Sequence, residues 1–486
     1  MLRSLTWLAL FATGSVATAA GIRFEVTIDP KLVGDISGRV IVGFAPKGQP
    51  PAYTSSDPFT LPILGVDIPK FTSETTVIVD ATAMTFPLNS MAALKKGEYS
   101  VQALFVTNRD LSIPTAPGNC YSELTTIALD PAVDSTTKLK LTKTFVELSP
   151  KDTATQKFLQ FPSKLLSEFH KRPMVYRVAV VLPANFEKEP EKTYPLIVRI
   201  GGFGTRYSFS RGIRSDDRFV QILLDGAGPY GDPYQVNSAN NGPYGDALTQ
   251  ELIPHIEKTY RCIGTPKTRF VTGGSTGGWV SLALQVFYPE YFNGCWSLFP
   301  DGVDFRAFEL IDIYADTNAY VNRYGFERPA KRTIDGDTIY SVRHECQLER
   351  ALGRGGRWEL SGLDWGSWNA TYGPRGEDGL PKPLWDGATG QIDKSVLAHW
   401  QKYDLRKVLE TDWKTLGPKL AGGKVHVWVG DADDYFLNNG VHRLKAATAK
   451  FANPAFDGTI EIEMRKGHGG GWAGKTILDE MAERAK

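Results

Sequence analysis

Cysteine and histidine are scarce in this chain of 486 residues, which has four cysteines and seven histidines. No two cysteines form a Cys-x-x-Cys pair, so the sequence argues against a zinc or redox motif, and we expect neither metal nor cofactor. The charge is balanced, with a formal net charge of +1 and 22% charged residues. A chain of this composition lacks the excess of positive charge that is typical of nucleic-acid-binding proteins.

Long hydrophobic runs are also absent, since no stretch approaches the roughly 20 apolar residues of a transmembrane helix. The N-terminus carries a shorter apolar run, Leu5 to Ala12, after Arg3 and before Ala17-Thr18-Ala19. A basic residue, a short apolar core and an Ala-x-Ala site are typical of an export signal. We therefore predict a signal peptide over residues 1–20 and a secreted or periplasmic protein; a membrane anchor is the weaker alternative.

Export would permit disulfides. The cysteines are Cys120, Cys262, Cys295 and Cys346. Cys262 and Cys295 lie at or just before two consecutive predicted strands of one sheet, so a bridge between them is one candidate. Four cysteines allow three pairings, and the sequence leaves the choice open.

The first part of the chain is rich in β patterning. Apolar residues alternate with more polar ones along three segments, around Phe24, Val42 and Val101, and Pro- and Gly-rich stretches separate them. Period-2 alternation indicates half-buried strands. We predict an all-β, sandwich-like domain over residues 21–148. Its role is open: it could bind carbohydrate, shape the rim of an active site or only stabilise the chain.

From about residue 170 predicted strands alternate with predicted helices. This pattern predicts an α/β domain over residues 149–486, with a mostly parallel sheet and helices on both faces. The strands are expected at 174–182, 194–200, 219–224, around Phe270, 295–298, 424–430 and 459–464, and the helices at 246–260, 279–288, 440–451 and from 476 onward.

A long insertion, about 303–423, interrupts this alternation. It contains four tryptophans: Trp358, Trp365, Trp368 and Trp385. We interpret the insertion as a cap over the carboxyl edge of the sheet. Its aromatic residues either build a small core of their own or stack on a substrate.

The motif that indicates chemistry is Gly273-Gly274-Ser275-Thr276-Gly277. It fits Gly-x-Ser-x-Gly, the nucleophile elbow, in which a serine lies on a sharp turn from a strand into a helix. A predicted strand precedes it and a predicted helix follows it. We predict Ser275 as the nucleophile; a structural glycine-rich turn is the alternative.

An acid and a base candidate follow two later strands. Asp433 lies in Asp431-Ala432-Asp433-Asp434 after the strand that ends at Gly430, and His468 follows the strand that ends near Met464. Ligands of such sheets bind at the carboxyl ends of the strands, and the order Ser, Asp, His is the one that α/β-hydrolases use. Asp434 and Asp431 remain alternatives for the acid, as turn or cap residues, and Asp301 is a more distant one.

The oxyanion of an acyl-transfer intermediate needs preorganised donors. We expect one from the backbone N–H of Thr276 and the other from the turn Gly201-Gly202-Phe203-Gly204, with Phe203 N–H as the predicted donor.

With these residues, the chain resembles the Putative esterase family of α/β-hydrolases over roughly 170–486. That family includes esterase D-like, feruloyl, acetyl-xylan and siderophore esterases. The resemblance implies ester hydrolysis by a Ser-Asp-His triad, often on carbohydrate or aromatic-acid esters. One departure is the oxyanion turn, which often begins His-Gly in the family and is Gly201-Gly202 here.

Two other functions remain to be weighed. Gly469 to Thr476 fits the P-loop pattern of nucleotide hydrolases, but only ten residues follow Thr476, too few for the strand with a magnesium-binding acid. The second alternative is a non-catalytic carbohydrate-binding protein on a decayed hydrolase fold. The sequence leaves the identity of the ester and the oligomeric state open.

Overall fold

A computed structural model describes residues 21–32, 36–147 and 150–486. The predicted signal peptide lies outside these ranges. Among the helices within them, none is long and apolar enough to cross a membrane.

The N-terminal part of the described chain is a β-rich domain, as predicted. Its strands join into one nine-stranded sheet in the order β4-β1-β9-β7-β6-β2-β3-β5, with β8 on β6. All nine strands are hydrogen-bonded into this sheet, in which β9 pairs with both β1 and β7. The strands are β1 (Ile22–Ile28), β2 (Ile36–Pro46), β3 (Ile63–Phe71), β4 (Val77–Val79), β5 (Met84–Phe86), β6 (Gly97–Val106), β7 (Cys120–Ser122), β8 (Thr125–Leu129) and β9 (Ser135–Thr144).

The remaining described chain folds as an α/β-hydrolase around an eight-stranded sheet, order β10-β11-β13-β12-β16-β17-β20-β21. Strands β10, β11 and β13 pair antiparallel, and the pairs from β13 to β21 are parallel. The strands are β10 (Gln156–Ser163), β11 (Met174–Val181), β12 (Leu196–Ile200), β13 (Val220–Leu224), β14 (Asn237–Ser238), β15 (Gly242–Pro243), β16 (Arg269–Gly274), β17 (Cys295–Leu298), β18 (Pro329–Arg332), β19 (Thr338–Ser341), β20 (Val425–Gly430) and β21 (Thr459–Glu463).

The helix predicted over 246–260 is irregular: a π-helical segment, Ala247–Leu252, lies between two short α-helices. The helix behind Ser275 is almost entirely buried, which fits its apolar sequence. The α-helices are α1 (Lys164–His170), α2 (Tyr244–Asp246), α3 (Ile253–Thr259), α4 (Thr276–Phe287), α5 (Val342–Leu352), α6 (Asp364–Tyr372), α7 (Leu397–Trp400), α8 (Leu405–Leu420), α9 (Asn438–Thr448) and α10 (Gly474–Arg484).

The insertion between β17 and β20 carries β18, β19 and α5 to α8. Its tryptophans pack mainly on one another: Trp358 stacks on Trp385 with ring centroids 4.6 Å apart, and Trp365 meets Trp385 edge-on at 4.9 Å. The insertion also joins the two domains, because Arg39 Nε of β2 donates to the carbonyl of Ala351 on α5 at 2.8 Å.

All four cysteines are free thiols. The candidate bridge between Cys262 and Cys295 is therefore wrong for this structure. Cys295 lies within β17, between β16 and β20, whereas Cys262 pairs with Tyr194 ahead of β12. The two cysteines thus belong to different places in the sheet.

Candidate active site

Ser275 occupies a strained turn between β16 and α4. Its backbone has φ 60° and ψ −123°, a conformation that L-residues rarely adopt. The turn depends on two glycines. A Cβ at Gly273 would lie 2.4 Å, and one at Gly277 2.2 Å, from the carbonyl oxygen of Ile200. The elbow therefore fits only where positions 273 and 277 have no side chain.

Ser275, His468 and Asp433 form one hydrogen-bonded chain. Ser275 Oγ lies 3.0 Å from His468 Nε2, and His468 Nδ1 lies 2.8 Å from Asp433 Oδ2. Asp433 is fully buried, and its other oxygen accepts the N–H of Tyr435 at 2.9 Å. The structure thus brings together three side chains that follow β16, β20 and β21, at the carboxyl edge of the sheet.

The His468 imidazole contacts two aromatic rings edge-on, with the centroids of Phe299 and Tyr435 each 4.9 Å away. Burial lowers the pKa of His468, but the hydrogen bond that its ring donates to Asp433 and the charges of Asp433, Asp301 and Asp434 outweigh that effect. The pKa of His468 is therefore raised above its ordinary value of 6.5.

The other two acids of the β20 loop support the loop that carries His468. Asp434 Oδ1 accepts the backbone N–H of His468 at 2.9 Å, and Asp431 Oδ1 accepts that of Arg465 at 2.5 Å. Neither is the partner of the His468 ring, so the geometry distinguishes Asp433 from both.

Asp301 is a buried carboxyl group in contact with Ser275. Its Oδ1 is 3.4 Å from Ser275 Oγ, and its Oδ2 accepts from Tyr234 OH at 2.5 Å, Thr276 Oγ1 at 3.0 Å and Trp368 Nε1 at 3.2 Å. Burial raises the pKa of this carboxyl. As a candidate acid for the imidazole Asp301 is misplaced, but it contacts the nucleophile directly.

The turn predicted to supply an oxyanion donor lies beside the serine. Phe203 lines the same cavity as Ser275, and a Cβ on Gly202 would lie 3.8 Å from the Cβ of Ser275. The turn is fixed by Asp232, whose Oδ2 accepts Gly204 N–H at 3.2 Å. Thr276 begins α4, where the first N–H groups of a helix have no intrahelical partner.

A cavity of about 260 Å³ extends from Ser275 and His468. The insertion contributes much of its wall, including the tryptophan that reaches Asp301. The lining residues are Ser56, Phe203, Ser275, Asp301, Glu309, Tyr340, Glu345, Asp364, Trp368, Tyr435, Leu437 and His468. An adjoining cavity of about 270 Å³ shares Ser56, Phe203, Glu345 and Asp364 and continues along Ser112 to Pro114. The N-terminal domain therefore forms part of the rim.

Sequence reasoning missed several residues of this site. Asp301 was predicted only as a distant alternative for the acid, although it follows β17 by three positions, as the other polar residues follow their strands. Tyr234, Glu309, Glu345 and Asp364 gave no such signal, because they lie on irregular segments or on helices far along the chain. Of the four tryptophans predicted either as core or as substrate contacts, only Trp368 lines the cavity.

The segment that fits the P-loop pattern, Gly469 to Thr476, makes contacts that are ordinary for a protein surface. Lys475 pairs with Asp479 one turn along α10, and β21 is the edge strand of the sheet. Gly469, Gly470 and Gly471 all have positive φ, which lets the chain turn directly after His468.

Comparison with known families agrees with this architecture. Residues 171–404 match the family described as Putative esterase. This region is similar to that family, and the protein is a carboxylic ester hydrolase. No curated protein matches the chain.

Solved structures with a similar arrangement are distant in sequence. A ferulic acid esterase is 16% identical, with 68% of this chain and 98% of that chain covered and a TM-score of 0.40. An S-formylglutathione hydrolase from Agrobacterium tumefaciens is 14% identical, with 69% and 98% covered and a TM-score of 0.39. A ferulic acid esterase from Anaeromyces mucronatus is 11% identical, with 70% and 90% covered and a TM-score of 0.31.

Proposed function

We propose that the protein hydrolyses its ester through an acyl-enzyme on Ser275, with His468 as general base and Asp433 as the residue that orients it. The observation that carries the proposal is the continuous chain of hydrogen bonds from Ser275 Oγ through His468 to the buried Asp433. Asp433 would fix the imidazole tautomer with the proton on Nδ1, leaving Nε2 free to accept the proton of the serine.

The proposed reaction has two halves. Ser275 Oγ attacks the ester carbonyl while its proton passes to His468 Nε2. The resulting oxyanion is stabilised by the N–H groups of Thr276 and Phe203. His468 then protonates the departing alcohol oxygen, which leaves an acyl group on Ser275. A water molecule, deprotonated by His468, attacks that acyl group, and the proton returns to Ser275 as the acid is released.

The substrate is proposed to be an ester of a carbohydrate or of an aromatic acid. The aromatic rings of Tyr340, Trp368 and Tyr435 line the cavity beside Ser275, and such rings offer stacking surfaces for either group. A panel of feruloyl, acetyl-sugar and simple alkyl esters tests this class. Equal kcat/KM on all three would remove the support for it.

We also propose that the protein is exported, on the basis of the N-terminal pattern from Arg3 to Ala19. N-terminal sequencing of the protein recovered from the native cells tests this. A chain beginning at Ala20 or Gly21 is expected, and an intact Met1 on the mature protein would contradict export.

The substitution Ser275→Ala tests the mechanism. We expect kcat on p-nitrophenyl acetate to fall by at least about 10³-fold, because the nucleophile is lost. Ser281→Ala is the matched control, since Ser281 lies on the same helix and its hydroxyl donates only to the carbonyl of Gly278. If Ser275→Ala kept the wild-type rate, the acyl-enzyme mechanism would be excluded.

A fluorophosphonate probe should label the wild-type protein and leave Ser275→Ala unlabelled. Failure to label folded wild-type protein would favour the carbohydrate-binding alternative.

A further inference from the structure

The active-site cavity contains more carboxyl groups than the proposed reaction uses. Asp301, Glu309, Glu345 and Asp364 all line it together with Ser275 and His468. Asp301 is bound by Tyr234, Thr276 and Trp368, so it belongs to the surroundings of the nucleophile. The other three come from the insertion and have no place in that chemistry.

Glu309 is the most unusual of the three. The residue is only 2% exposed and lines the cavity, and its buried Oε2 has no hydrogen-bond partner among the described residues. Buried carboxyl oxygens are normally hydrogen-bonded or paired with a cation, because an isolated buried charge has lost its hydration without compensation. Because Glu309 lines the cavity, the partner that this carboxyl group lacks can enter with the ligand.

The neighbours of Glu309 add negative charge. Burial, followed by the charges of Glu345, Asp364, Asp301 and Asp433, raises the pKa of Glu309 well above its ordinary value. Burial likewise raises the pKa of Glu345 to about 7. These groups thus repel one another when all are ionised, and a cation placed among them would relieve that repulsion.

The protein supplies little compensating charge of its own. In the part of the chain that the structure describes, no ion pair joins Glu309, Glu345 or Asp364 to a lysine or arginine. Lys331 lies over the ring of Tyr435, 4.9 Å from its centroid, and its charge lowers the pKa of Glu345. Glu345 Oε2 also accepts Trp365 Nε1–H at 2.9 Å. Among the described residues, Glu309 Oε2 has neither a nearby cation nor a hydrogen-bond donor as its partner.

We propose that the substrate of this esterase carries a cationic group, a primary ammonium or a guanidinium, which is bound in the active-site cavity by Glu309 together with Glu345 and Asp364. The proposal rests on the proposed function, and it names the chemistry by which that site selects its ester. An ammonium group donates three hydrogen bonds and a guanidinium five, so either can satisfy several carboxyl oxygens at once.

The test compares p-nitrophenyl esters that differ only at the end of the acyl chain. The 6-aminohexanoyl and 8-aminooctanoyl esters are paired with the isosteric heptanoyl and nonanoyl esters and with the 6-hydroxyhexanoyl and 8-hydroxyoctanoyl esters. At one of the two chain lengths, we expect kcat/KM to be at least about tenfold higher for the amino ester than for its alkyl and hydroxy partners. The uncharged ends of those partners leave the charge of Glu309 uncompensated. Equal values at both lengths, or a preference for the hydroxy esters, would overturn the proposal.

The substitution Glu309→Gln removes the charge at nearly constant shape. The ratio of kcat/KM for the amino ester to that for its alkyl partner should fall by about tenfold. Glu377→Gln, an exposed position in the same insertion, makes the same chemical change and should leave that ratio as in the wild type. A ratio that is unaffected by Glu309→Gln contradicts the role of Glu309.

Calorimetric titration of the Ser275→Ala protein separates this inference from the mechanism. Hexylamine should bind at least about tenfold more tightly than 1-hexanol, and Glu309→Gln should abolish that difference. If hexylamine binds in this way but Ser275→Ala still turns over esters, the mechanism fails and the cation site remains. If the mechanism holds but hexylamine binds no better than hexanol, the cation site fails alone. Calcium ions, titrated in the same way, should not compete with hexylamine; competition would indicate a metal site instead.

Discussion

The loops of the sheet and the insertion both reach the active-site cavity, but they contribute different kinds of residue. The loops after β16, β20 and β21 bring Ser275, Asp433 and His468 together. The insertion brings Trp368, Glu309, Glu345 and Asp364. The fold itself brings the first group of residues together, because parallel strands end at the same edge of the sheet. The sheet does not determine where the second group lies. The residues of the insertion are therefore free to determine which ester binds.

Four predictions test this division between chemistry and selection. The largest effect is expected at the acid of the proposed triad. Asp433→Asn should lower kcat by about 10⁴-fold, because an amide at this position can donate to Nδ1 and so hold the imidazole in the wrong tautomer. Steady-state kinetics on p-nitrophenyl acetate measure the change.

Asp434→Asn is the matched control for that substitution. An asparagine there can still accept the backbone N–H of His468, so kcat should stay within about tenfold of the wild type. If Asp434→Asn caused the larger loss, Asp434 rather than Asp433 would be the functional acid.

The next effect concerns the core of the insertion. Trp358→Ala removes a buried ring that stacks on Trp385, and it should lower the free energy of unfolding by about 3–5 kcal/mol. Urea unfolding followed by circular dichroism measures the loss. Trp472→Ala, at a half-buried position outside the insertion, should cost less. Equal losses would show that the Trp358 ring is not part of a tightly packed core.

A smaller effect is expected where the two regions touch. Trp368→Phe keeps an aromatic ring but removes the Nε1–H that donates to Tyr234 OH and to Asp301. Loss of one donor to a buried carboxyl should destabilise the protein by about 1–3 kcal/mol. The same urea titration measures it, and Trp368→Phe with unchanged stability would mean that Tyr234 and Thr276 satisfy Asp301 by themselves.

The smallest effect is a shift in pH dependence. The general base must be neutral, and the pKa of His468 is raised, so kcat/KM should fall as the pH drops through a value above 6.5. Asp301→Asn removes one of the charges that raise this pKa and should move the acidic limb to lower pH by about one unit or less. Asp378→Asn, on the surface, is the control. If the acidic limb of the pH profile did not move in Asp301→Asn, Asp301 would already be protonated in the pH range of that limb.

Much of the fold could be predicted because its signals are local. Apolar runs bounded by glycines located β12, β16, β17 and β20 to within a few residues. Strand β10 was missed, because it is an edge strand with a weak alternation, Gln156-Lys-Phe-Leu-Gln-Phe-Pro-Ser, and its burial comes from pairing with β11. The order of the strands in the N-terminal sheet could not be predicted for a similar reason, since it depends on which distant strands pair.

The candidate site divides in the same way. Strand ends, glycine spacing and chain order pointed to Ser275, Asp433 and His468, whose roles remain proposals. Glu309 could not be found by such rules. Its significance lies in a buried oxygen without a partner, and only the packing of the insertion against the sheet creates that condition.

Mass mapping of a trapped acyl-enzyme tests the central claim most directly. The protein is mixed with excess p-nitrophenyl acetate, quenched in acid within the first turnovers, digested and analysed by mass spectrometry. We expect one acetyl group on the peptide that contains Ser275, and no acetyl group on the same peptide from Ser275→Ala. Continued ester turnover with the acetyl group on another residue, or with none on this peptide under conditions that trap the intermediate, would contradict the account.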